Sequence, residues 1–220
     1  SSFIRNLLLN DSGILLVGTD KGLVEFDRDT ESFKRSDISI QIGDQAIWSL
    51  SKQNDEIFVG LNNSLISYKK DEKQNENYTN SDVGEIKNVI KLNQELFIRN
   101  YDGDIFKING ETIEKIFKNS MEMSLLNGEI LIGSNDGIFS FKKSIKKISN
   151  VKLTTIEVNS NHKKHLFGIG GNNLYKIYSN GGDLKVSNIG VLDIKKERLS
   201  KVFISSGNDI YISNYIDGFF

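Results

Sequence analysis

Ile14-Leu15-Leu16-Val17-Gly18-Thr19-Asp20-Lys21-Gly22-Leu23 is an apolar run, a polar turn closing on glycine, and the start of a second apolar run. The same pattern returns at residues 57–65, 96–105 and 130–138, and more loosely at 166–174 and 210–219. With residues 17, 59, 98, 132, 168 and 212 taken as equivalent, the mean spacing is 39. A period of roughly 40 residues built from short strands belongs to a propeller blade rather than to a helical solenoid.

Local composition supports the strands. Each unit is rich in Ile, Leu, Val, Phe and Tyr, which fit a pleated surface, and polar turns break it at short intervals. Asn-Gly, Asp-Gly and Gly-Gly pairs at 102–103, 127–128, 136–137, 180–181 and 181–182 supply the positive φ of tight hairpins. The chain has no proline, which suits strands because proline forfeits a ladder donor.

The expectation is an all-β fold: a β-propeller of about six short four-stranded blades in one domain spanning 1–220. The blades fall near 3–36, 46–79, 86–117, 122–149, 154–187 and 199–220. The last is incomplete, with three strands at 199–205, 209–213 and 218–220. Three accounts of that shortage stay open: a three-stranded sixth blade, an excised part of a larger propeller, or a shifted phase in the first blade. An unclosed array would leave edge strands free for self-association.

Composition narrows the chemistry. The 220 residues carry 28 Lys plus Arg against 29 Asp plus Glu, a net charge of −1, so nothing points to nucleic acid or an anionic membrane. Zero Cys removes thiol catalysis and disulfides. No apolar run reaches the roughly 18 residues of a membrane span, and Ser1 opens no signal peptide.

His162 and His165 are the only histidines, and in a hairpin without a third ligand nearby they read as surface residues, so no metal is expected. Asp102, Asp104, Asn135 and Asp136 lack calcium-loop spacing and read as turn residues. No Gly-x-Ser-x-Gly elbow and no phosphate-cradling loop is present, so no catalytic residue and no cofactor is assigned. Lys142, Lys143, Lys146 and Lys147 form the densest basic patch, read as a solubilising blade edge.

Residues 3–27, Phe3-Ile4-Arg5-Asn6-Leu7-Leu8-Leu9 through Gly18-Thr19-Asp20-Lys21-Gly22-Leu23-Val24-Glu25-Phe26-Asp27, resemble the repeat of the two-component regulator propeller family. Residues 130–141 match its middle well, 57–68 and 96–108 in part, and 166–177 and 210–220 loosely. Where that family usually has Trp before Gly-Thr, this chain has Leu16, Phe58, Phe97, Leu131, Phe167 and Tyr211. The resemblance implies the periplasmic sensor part of a bacterial hybrid histidine kinase, and so a periplasmic or extracellular location and a role in signal transduction. It also implies an oligosaccharide or small-molecule ligand.

Blade geometry gathers loops and inner strands at one face, where aromatic and polar side chains bind sugars. The ligand-binding candidates are Trp48, the lone tryptophan on an inner strand, Arg99, which replaces a repeat glycine, and the turn residues Tyr101, Asn135 and Tyr215. The alternatives are a protein-interaction scaffold and, third, an enzyme with an axial active site.

Overall fold

The computed structural model describes residues 3–10, 13–36, 38–69, 76–110, 112–157, 164–192, 199–204, 209–214 and 218–219. Its chain divides into two compact units, Ser1–Ile116 and Phe117–Phe220. In the first, one sheet holds β1 (Ile4–Leu9), β2 (Leu15–Thr19), β3 (Gly22–Asp27) and β4 (Ser32–Arg35). A second holds β5 (Ser49–Gln53), β6 (Glu56–Gly60), β7 (Ser64–Lys69) and β8 (Glu76–Thr79). The third comprises β9 (Ile86–Leu92), β10 (Glu95–Asn100), β11 (Ile105–Asn109) and β12 (Thr112–Phe117).

The second unit begins with the sheet of β13 (Ser120–Leu126), β14 (Glu129–Ser134), β15 (Gly137–Phe141) and β16 (Ile145–Ser149). Next come β17 (Thr155–Ile156), β18 (His165–Gly170), β19 (Asn173–Asn180) and β20 (Asp183–Val191). The last sheet has three strands among the described residues: β21 (Leu199–Ile204), β22 (Ile210–Asn214) and β23 (Gly218–Phe219). Within every sheet the strands pair antiparallel in chain order.

Burial follows the two-residue strand period. All of β6 is buried, yet Ile57 and Val59 enter the core shared with the first sheet, with Leu16, Leu23 and Ile47. Phe58, one step away, enters the core shared with the third sheet, with Ile86, Val89 and Ile98. Side chains alternate across a strand, so a sheet packed between two others needs apolar residues at both parities. The fourth strand has no such demand, and β4 is exposed throughout.

Sheets meet closely where the repeat has glycine. A Cβ on Gly18 would lie 2.7 Å from Ile47 Cγ2, and one on Gly60 would lie 2.6 Å from the Ile86 carbonyl oxygen. The turn after it is also repeated: Thr19 Oγ1 donates to Gly22 O at 2.9 Å and accepts from Lys21 N. Ser134 does the same with Gly137 O at 3.0 Å and Asp136 N. The hydroxyl closes the hairpin, so the Asp and Asn of these turns are turn residues.

Three local boundaries differ from the sequence reading. A single helical turn, α1 (Ser39–Ile42), joins the first two sheets because Ile38 and Ile42 both bury in their shared core. The second sheet's inner strand starts at Ser49, leaving Trp48 just ahead of it, with Trp48 N donating to Gly60 O at 2.8 Å. β20 runs to Val191, well past residue 187, because it continues pairing with β19 across an irregularity near Leu174 and Tyr175.

Candidate functional site at the start of the inner strands

In the first unit, the residues that enter the inner strands and those that leave the second strands lie at the same end of each sheet, because these strands pair antiparallel. Trp48 and Tyr101 both occupy that end. Their ring centroids are 5.8 Å apart in an edge-on arrangement at 68°. Tyr101 N donates to Glu85 O at 2.8 Å, which fixes the turn, while the residue as a whole is 63% exposed. Trp48 Nε1 donates to Asn62 Oδ1 in the turn between β6 and β7.

Two cations complete the group. Arg5, on β1, holds its guanidinium carbon 4.1 Å from the Trp48 ring centroid. Lys87, on β9, places Nζ 5.4 Å from the Trp48 centroid and 5.8 Å from that of Tyr101. Both side chains are exposed. A cation over a π face is held by the ring quadrupole. The cluster therefore offers an exposed aromatic ring beside two positive charges, suited to a polar ligand that carries a carboxylate.

The structure brings Trp48 and Tyr101 together from neighbouring sheets. Arg99 is half-buried on β10, in register with Asn88 and Ile105. Asn135 belongs to the second unit, exposed in the turn between β14 and β15. Tyr215 and His162 lie outside the described residues. Sequence reasoning missed Arg5, Asn62 and Lys87. The signal was present: Arg5 and Lys87 each follow the first residue of an inner strand, Ile4 and Ile86, and superposing the repeats aligns them.

Outside the cluster, the most perturbed carboxyl is Glu157, just after β17. It is 1% exposed, and neither carboxyl oxygen meets a hydrogen-bond partner among the described residues. Burial raises its pKa to about 7. His165 stacks edge-on to Phe167, with centroids 5.1 Å apart. Among the described residues, no group of three His, Asp or Glu side chains is arranged to hold a metal ion, and no helix is long and apolar enough to cross a membrane.

No protein-family model and no curated protein matches the sequence. Solved structures do match its fold. The extracellular domain of a putative hybrid two-component system from B. thetaiotaomicron superposes with a TM-score of 0.70 at 10% identity, covering 97% of this chain and 30% of that one. A chain of the mitotic checkpoint complex gives a TM-score of 0.71 at 11% identity over 99% of this chain and 74% of its own. The WD40 β-propeller of Doa1 gives 0.60 at 8% identity over 97% and 76%.

The fold is a β-propeller.

This chain thus spans under a third of the length of the two-component sensor domain that it resembles. The β-propeller fold is common to a bacterial sensor, a checkpoint assembly and a WD40 domain, so the site, not the fold, has to carry the function.

Proposed function

We propose that this chain is a noncatalytic ligand-sensing propeller, working on the outer side of a bacterial membrane, that binds an acidic oligosaccharide at the Trp48 and Tyr101 cluster. The observation that carries the reading is the convergence of those two rings with Arg5 and Lys87. An exposed tyrosine ring packs on a sugar ring, and two cations answer a uronate carboxylate. The likeness to a two-component sensor's extracellular domain supports the sensing role and the location. In this reading all six sheets, residues 1–220, work as one propeller domain, coupled to a signalling segment elsewhere in a longer protein.

Calorimetric titration with oligogalacturonate and with a neutral galactan tests it. The acidic glycan is expected to bind and the neutral one to bind at least about tenfold more weakly. Tyr101→Ala and Lys87→Ala should each weaken the acidic glycan by a similar factor, about tenfold, with circular dichroism unchanged. Equal binding of both glycans, or none of either, overturns the acidic-sugar reading.

A further inference from the structure

A second feature lies in the other unit and does not depend on the aromatic cluster. The outermost strands of two adjacent sheets, β16 and β20, flank a groove of about 490 Å³. Among the described residues, Lys142, Lys143, Lys146, Lys147 and Lys185 line it, against Glu129 and Asp183. Lys142 Nζ lies 3.6 Å from Glu129 Oε1, and all five lysines are exposed. The groove is thus strongly positive in a chain whose net charge is −1.

Its lining is not charge alone. Ile148 and Leu184, both half-buried, lie among the lysines. β16 and β20 are each last in their sheets, so each has one backbone edge outside the sheet ladder. We propose that this groove docks an extended acidic segment of a partner protein. Such a segment turns alternate side chains to opposite sides, so one set of carboxylates reaches the lysine ammonium groups while its apolar residues cover Ile148 and Leu184. A sulfated glycan or a nucleic acid satisfies the lysines but leaves the two apolar side chains uncovered. Among the described residues the lining also has no arginine, the side chain that grips phosphate with two parallel hydrogen bonds.

The test is fluorescence anisotropy of the whole chain with a fluorescein-labelled synthetic peptide alternating glutamate and valine, with heparin and duplex DNA as competitors. Binding should weaken steeply with salt and fall at least about tenfold in the double variant Lys143→Glu/Lys146→Glu, whose sites are exposed. Leu184→Ser should weaken the peptide and leave the salt dependence unchanged. A peptide that fails to bind overturns the proposal, as does one insensitive to the charge reversal. So does heparin or DNA binding more tightly than the peptide, since the groove is then a general polyanion surface.

Discussion

Lys91 Nζ on β9 sits 2.5 Å from Glu56 Oε2 on β6, tying the third sheet to the second by an ion pair whose carboxylate side chain is only 7% exposed. Ser67 Oγ donates to the other carboxylate oxygen. Removing the cation alone strands a buried charge. Lys91→Met should therefore destabilise the chain by about 2–3 kcal/mol, and Glu56→Gln in the same chain should recover much of the loss. Denaturant unfolding at neutral pH measures both.

Gly60 leaves no room for a side chain. A Cβ there would meet Ser49 Oγ, with the Ile86 carbonyl oxygen at 2.6 Å and Ile86 Cγ2 at 2.9 Å. One of these obstacles is backbone, which cannot swing aside. Gly60→Ala should cost about 2–3 kcal/mol. A Cβ on Gly133 would meet Ile156 Cδ1 at 3.1 Å, the end of a flexible side chain, so Gly133→Ala should cost less in the same assay.

Glu157 makes stability depend on pH. Its carboxyl has a pKa of about 7 in the folded chain against an ordinary 4.5. Below the ordinary value both folded and unfolded chains are protonated, and the group contributes no difference. As pH rises toward 7 the unfolded chain ionises first, so stability falls across that interval and levels off above it. Glu157→Gln should flatten this slope and raise the melting temperature at pH 8, with little change at pH 4. Thermal melts across that range read the result.

Trp48 is the single tryptophan, so its emission reports the cluster. Arg5→Ala should move the emission maximum, because a charge 4.1 Å from the ring centroid disappears. The melting temperature should change little, since an exposed cation over a ring is worth about 0.5–1 kcal/mol. An unchanged spectrum would remove Arg5 from the cluster.

The repeat made the strands legible, because Ile57, Phe58 and Val59 have to be apolar at both parities when a sheet packs on each side. α1 was not legible: one turn carried by Ile38 and Ile42 has no periodic stretch to read. Of the candidate site, Trp48 and Tyr101 were chosen as separate departures from the repeat, and their meeting depends on how two sheets pack. Arg5 and Lys87 look like ordinary polar residues on strands until that packing places them beside a ring. Glu157 follows strand residues Thr155 and Ile156, a place where a carboxylate usually reaches water, and nothing local announces its burial.

Among the described residues every strand pairs in its ladder only with strands next to it in the chain, so each sheet closes short loops. Contacts of such low sequence separation form quickly. During synthesis each sheet can assemble soon after its own residues emerge, before those of the next have been made. Glycines such as Gly18 and Gly60 mark where one sheet then seats against the next, a close approach that any side chain at those positions would block.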